Sequence, residues 1–194
     1  MPTLPLNITE LRLQSAFNGY ASTVANCLFS SAQIEIHIAD SDATGYTILV
    51  DNTSKEYLTG RALTIRNAKE EDITILQIDN KLVSQRSKQK RCDCAILNAT
   101  DMRFVEFKTN SQGNSVKAVE STYKQAMKQL SATLHLFIDK ERTVGINLIE
   151  KRVLSAHICT AARFPRLPSS QIGYAIAFAL QEHIPLTFGT ITSI

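Results

Sequence analysis

Residues 91–108 read as a β-hairpin, and this hairpin carries charges that a hairpin does not need. The runs 92–97 and 103–108 are rich in β-branched, aromatic and aliphatic residues, and the polar Asn98-Ala99-Thr100-Asp101 between them is turn-like. With an even-numbered loop centred on Thr100 and Asp101, Leu97 lies opposite Phe104, Ala95 opposite Glu106 and Asp93 opposite Lys108, all on one side. Cys94, Ile96, Val105 and Phe107 then line a wholly apolar second side. The first side begins apolar at the turn and ends charged, where Asp93, Glu106 and Lys108 converge. Three ionisable groups inside hydrophobic strands are costly to bury without a compensating metal ion or hydrogen-bond network.

At 194 residues the chain suits a single domain over 1–194 with a sizeable core. A hydrophobic content of 44%, a charged content of 20% and only 7 Gly and 5 Pro exclude a disordered or fibrous chain. The net charge of +3 permits contact with nucleic acid or an anionic surface without requiring it. The opening Met1-Pro2-Thr3-Leu4-Pro5-Leu6 lacks the basic and apolar regions of a secretory signal, and no apolar run approaches membrane-spanning length. A cytoplasmic protein with no membrane partner is therefore expected. Cys27, Cys92, Cys94 and Cys159 form neither a paired framework nor a C-x-x-C pattern. They read as reduced thiols packed as small hydrophobes, with Cys92 and Cys94 both turned away from the acids.

Asn7 or Thr9 caps a first helix over about 8–29, in which Leu11, Leu13, Phe17, Tyr20, Val24 and Leu28 recur at roughly helical spacing. Glu10 falls in its first turn, where an acid suits the helix dipole. From Gln33 the period changes to two, giving a half-exposed strand through Ile34, Ile36 and Ile38, a turn over 40–45 and a strand over 46–50. Residues 61–66 and 73–78 read as further strands. The run 84–91 holds Arg86, Lys88, Lys90 and Arg91 and no acid, and it ends two residues before Asp93. It is either a solvated loop or a phosphate contact. After a loop over 109–114, Ser115 caps a long amphipathic helix with an apolar stripe of Val116, Val119, Tyr123, Met127, Leu130, Leu134 and Phe137. Lys117, Lys124 and Lys128 share a polar stripe, either solvated or offered to a nucleic-acid backbone, with Gln125 and Gln129 one turn apart beside it. Residues 144–148 and 152–160 read as strands, a helix follows from Ser169 or Ser170 to about Glu182, and 186–191 read as a last strand. That helix is apolar enough to be core or a self-association surface. The fold class is α+β, a central mixed sheet flanked by helices.

Asp93 on one strand and Glu106-Phe107-Lys108 on the next, with a helix and strand before them and a helix and strand after, resemble the core of the PD-(D/E)XK nuclease superfamily. The resemblance covers about 70–160 as the core and 8–29 as the leading helix. Cys92 stands where the family places proline, and 33–66 form an additional N-terminal β section inserted before the first core strand. The resemblance implies a restriction-endonuclease-like core and a DNA endonuclease that uses magnesium, with manganese as substitute. Asp93, Glu106 and the backbone carbonyl of Phe107 would be the metal ligands, and Lys108 would position or activate the attacking water. Glu10 would be an accessory acid from the leading helix, and Gln125, Gln129 and Lys124 neighbours from the following helix. DNA would be met by Arg86, Lys88, Lys90, Arg91, Lys117, Lys124 and Lys128. A homodimer is expected, since two symmetric sites suit the two strands of a duplex. Two readings stand beside this one. The chain is a catalytically inactive nuclease-like module that binds nucleic acid or a protein, or it is an unrelated α+β protein in which Asp93 and Lys108 form an ordinary cross-strand ion pair. No G-x-S-x-G elbow or phosphate-binding G-x-x-x-x-G-K-[ST] loop is present, and His37, His135, His157 and His183 lack metal-ligand spacing.

Overall fold

A computed structural model describes residues 4–20, 22–84, 90–111, 115–165 and 168–194. The chain begins with α1 (Leu6–Glu10), α2 (Leu13–Ala16), a 3-10 turn (Val24–Cys27), β1 (Leu28–Ser31), β2 (Glu35–Ser41), β3 (Tyr46–Val50), α3 (Lys55–Leu58), β4 (Leu63–Arg66) and β5 (Ile73–Gln77). It continues through β6 (Cys94–Leu97), β7 (Asp101–Lys108), α4 (Val116–Thr143), α5 (Leu148–Lys151), β8 (Val153–Thr160), α6 (Pro168–Glu182), β9 (Leu186–Phe188) and β10 (Ile191–Ser193).

The hairpin β6–β7 lies at the centre of a six-stranded mixed sheet of order β1-β5-β6-β7-β8-β9. The first four strands are antiparallel, whereas β8 runs parallel to β7 after the α4 crossover and β9 runs parallel to β8. Every residue of β5 and β6 is buried, as expected of strands covered on both faces. On one face Leu76, Ala95, Leu97, Met102 and Phe104 share a core with Leu130, Leu134 and Phe137 of α4. On the other, Ile75, Ile96, Val105 and Phe107 share a core with Ile36, Ile38, Leu63 and Ile65 of a second, four-stranded mixed sheet of order β10-β4-β2-β3. The protein is thus the mixed α/β architecture expected, with the β section at 33–66 forming a layer of its own.

Ser115 caps α4, its side chain accepting from the Ala118 amide at 3.2 Å. Val116 at the start of the expected apolar stripe is exposed and Met127 is half-buried, while Val119, Tyr123, Leu130, Leu134 and Phe137 bury as their spacing implies. On α6 the outward residues Ile172, Ile176 and Leu180 remain 62%, 56% and 73% exposed, so this face is not core. No helix among the described residues is long and apolar enough to cross a membrane.

Several local expectations are corrected. The single helix over 8–29 is instead α1, α2, the 3-10 turn and the start of β1, with Ala21 outside the described residues. Arg12 takes a left-handed conformation at φ 52° and Gly19 at φ 84°, and these turns fold Leu11, Leu13, Phe17 and Val24 around one core. Apolar residues gathered by turns mimic a helical period. The expected strand at 144–148 is absent: Gly145 at φ 78° follows the end of α4, and Leu148 opens α5. The expected strand at 186–191 splits at Gly189, at φ 134°, into β9 and β10, which belong to different sheets. Asp40 lies in β2 opposite Thr47, not in the turn.

His157, buried in β8, has Nε2 at 3.0 Å from the Gly189 carbonyl and Nδ1 at 2.8 Å from the Thr187 hydroxyl. A carbonyl only accepts, so Nε2 carries a proton, and a ring whose pKa falls to about 4 is neutral at pH 7. Burial, aided by the nearby charge of Arg103, lowers its pKa from 6.5 to about 4, against the Gly189 hydrogen bond. The folded state therefore binds fewer protons, and this contribution to stability is lost as pH falls from 6.5 towards 4. Glu106 and Glu141, both raised to about 8, act in the opposite sense, gaining stability on acidification. The His157 share is read from the difference between wild type and His157→Gln in urea unfolding. The wild type should lose about 2 kcal/mol more than the variant between pH 7.5 and 5, and equal losses would contradict the neutral ring.

Candidate active site

The hairpin register places Leu97 opposite Met102, Ala95 opposite Phe104 and Cys94 opposite Val105. This is two residues from the expected register, so the paired residues 94–97 and 102–105 keep their faces but Asp93 comes level with Glu106 instead of Lys108. The cause is Asn98, whose Oδ1 accepts from the amides of Thr100 at 2.9 Å and Asp101 at 2.7 Å and tightens the turn. Asp93 is 7% exposed and Glu106 1%. The Asp93 carbonyl accepts from both Ile78 and Asp79 amides, a two-to-one pattern that bends the strand as a bulge does.

Asp93 Oδ2 accepts from the Phe107 amide at 2.5 Å. In a strand the N–H and C=O of one residue project to the same side, so the Phe107 carbonyl also faces the Asp93 side. Lys108 Nζ stands 2.6 Å from Glu106 Oε1 and 2.7 Å from Gln129 Oε1. Gln129 Nε2 in turn donates to the Arg91 carbonyl at 3.1 Å, and one turn along α4 Thr133 Oγ1 accepts from the Cys92 amide at 2.7 Å. Two side chains of α4 thus hold residues 91 and 92 and fix Lys108 against Glu106. This grip puts Cys92 in the core on the α4 side, correcting the expectation that it turns away with Cys94. All four cysteines are buried and free of disulfides.

Among the described residues, burial and neighbouring acids disfavour the charged forms of both carboxyls. Burial raises Glu106 to about 8 despite the opposing Lys108 ammonium, and the carboxylates of Asp79 and Asp40 add to the rise. Burial and then Glu106 push Asp93 well above the usual carboxylate range, with Asp40 and Asp79 contributing and the Phe107 amide opposing. Glu106 Oε2 is buried and has no hydrogen-bond partner among the described residues. An orphaned carboxylate oxygen beside a second carboxylate, with a backbone carbonyl on the same side, is an oxygen donor set suited to a hard divalent cation. Among the described residues no three His, Cys, Asp or Glu side chains gather into a metal cage. The fit is to an ion that keeps several of its waters, as magnesium does.

A groove of about 550 Å³ opens beside the cluster, lined by Asp79, Lys90, Arg91, Gln125, Lys128 and Gln129. Of the expected nucleic-acid contacts it gathers Lys90, Arg91 and Lys128. Lys124 lines an adjoining cavity, Lys117 lines neither, and Arg86 and Lys88 lie outside the described residues. Arg91 Nε is 2.5 Å from Asp79 Oδ1, so this side chain also builds the groove wall.

Glu10 is not part of the site. It pairs with Arg152 at 2.9 Å, and Arg152 precedes Val153, which lies opposite Asp101 at the turn end of β7. Glu106 is five residues further along, about 17 Å at the rise of a strand. The broken leading helix carries Glu10 to this far end. Two acids that the sequence reading passed over, Asp40 and Asp79, are close enough for their charge to act on Asp93 and Glu106. Asp40 had a readable signal, since it continues the inward face of Ile36 and Ile38 at a period of two. Asp79 had none, because its place depends on the pairing of β5 with β6. Neither family models, nor curated proteins, nor solved structures give a match to this chain.

Proposed function

We propose that this protein is a divalent-metal-dependent DNA endonuclease with a PD-(D/E)XK-like core. The observation that carries the reading is the convergence of Asp93, Glu106 and Lys108 at one end of β6–β7, with Glu106 Oε2 buried and unpartnered. The three-stranded antiparallel run β5–β6–β7, followed by α4 and the parallel β8, supports it. Asp93, Glu106 and the Phe107 carbonyl would hold a magnesium ion, which when bound would lower the pKa of a water and offset phosphoryl charge. Lys108, held by Gln129, offers its ammonium donors to the attacking water or a phosphoryl oxygen. Lys90 and Lys128, with the Gln125 amide, hold the flanking backbone phosphates.

The test is cleavage of plasmid and short duplex DNA with magnesium or manganese. Lys108→Ala should cut about 100-fold more slowly or worse, and undiminished cutting would refute the assignment. Salt-sensitive DNA binding with no cutting by the wild type would favour the inactive binding module.

The expected homodimer finds support in α6. No charged residue occurs between Pro168 and Gln181, so only an equally uncharged surface covers Ile172, Ile176 and Leu180 without burying an unpaired charge. In an antiparallel pairing of two copies Ile176 meets its own counterpart. Sedimentation should give a dimer that Ile176→Glu converts to monomer; a wild-type monomer at all concentrations would exclude it.

A further inference from the structure

Resting on the nuclease reading, we infer that the cavity between α4 and α6 is a subsite for one unpaired nucleobase of the strand whose backbone occupies the adjoining groove. The cavity measures about 390 Å³, at the small end of pockets that take small-molecule ligands and large enough for a nucleobase. Met127, Ala132 and Phe178 give it apolar walls, and Lys90, Lys124 and Lys128 also line it. Lys90 and Lys128 also line the groove beside Gln129, so the two spaces are continuous at the residues that would carry phosphate.

The polar wall is hydrogen-bonded to a buried acid. Glu182, buried between the helices, accepts from Ser131 Oγ at 2.7 Å and from Gln181 Nε2 at 2.6 Å, and its other oxygen is 2.7 Å from His135 Nε2. Ser131 and Gln181 both line the cavity. With one amide N–H given to Glu182, Gln181 still has its second N–H as a donor and its carbonyl oxygen as an acceptor, a pairing suited to the hydrogen-bonding edge of a base. Apolar walls, an amide tethered to Glu182 and three lysines together match a flat heterocycle attached to a polyanion. A peptide or lipid chain has no comparable reason to meet all three. The substrate class this implies is DNA with an unpaired or extruded nucleotide next to the scissile phosphate.

The experiment measures binding of a short fluorescent single-stranded DNA without metal, intact or with a single abasic position moved along it. For wild type, one abasic position should weaken binding about tenfold. Ala132→Leu, which fills the cavity with a good helix former, should weaken the intact strand to the same level and abolish the abasic penalty, with its thermal unfolding confirming a folded protein. Gln181→Ala, an exposed substitution outside the Lys108–Glu106–Gln129 contacts, should remove part of the same penalty. Salt-sensitive binding that is indifferent to every abasic position, or an abasic penalty that survives Ala132→Leu, overturns the subsite and leaves the nuclease reading standing. Absence of salt-sensitive binding to any DNA overturns both.

Discussion

Asp93→Asn is expected to lower magnesium-dependent cleavage by a factor on the order of 10³ and, without metal, to make the protein more stable. Both effects have one origin. Asp93 is buried beside Glu106, with Asp40 and Asp79 adding to the same negative field, and the Phe107 amide favours its charged form. Asparagine keeps the shape and an oxygen that accepts from Phe107, but it removes the charge that would hold a cation. At pH 8 the gain should be about 1–2 kcal/mol in urea unfolding, the size usual when an activity-bearing strain is relieved. A variant that is both fully active and less stable would show that Asp93 is an ordinary structural acid.

Phe137→Ala is expected to have the largest effect on stability, a loss of about 3–5 kcal/mol. Phe137 of α4 is fully buried, with ring centroids 4.7 Å from Phe17 and 5.3 Å from Phe104. It therefore joins α4, the N-terminal turns and β7 in one contact. Phe104 is two residues before Glu106 on the same face of β7, so a cavity there also removes support from beneath the site. A loss of this size is a large share of the roughly 5–15 kcal/mol typical of a domain. Urea unfolding measures it, and a loss below about 1 kcal/mol would contradict the packing of α4 on this face.

The hairpin was legible because its signal is local: two apolar runs, a polar break and a period of two. Its register was not, yet the face assignment survived for the paired residues, since a shift by an even number leaves their side chains on their own sides, and it failed only at Cys92, beyond the ladder. The missing information was the tight turn made by the Asn98 side chain. The long helix α4 and its cap were equally readable, with Ser115 and the stripe from Val119 to Phe137 in plain view. The first thirty residues misled because Arg12 in a left-handed turn and Gly19 interrupt an apolar pattern that otherwise fits a helix. That break removed Glu10 from the site. Gly189 likewise sends the last residues to a second sheet, a partnership set by β4 and invisible in the local sequence. Asp40 and Asp79 reach the site only through tertiary pairing, and Gln129 was recognisable as a neighbour but not as the residue that holds Lys108.

The central claim is that Asp93 and Glu106 form a divalent-cation site, and direct titration of the protein with manganese, competed by magnesium, tests it without any knowledge of the DNA target. The wild type should bind a single ion, and magnesium at about 100 times its dissociation constant should add about 2.7 kcal/mol to unfolding stability. Asp93→Asn should lose both the binding and the added stability. A wild type that binds no ion, or an Asp93→Asn protein that binds as the wild type does, would contradict the account.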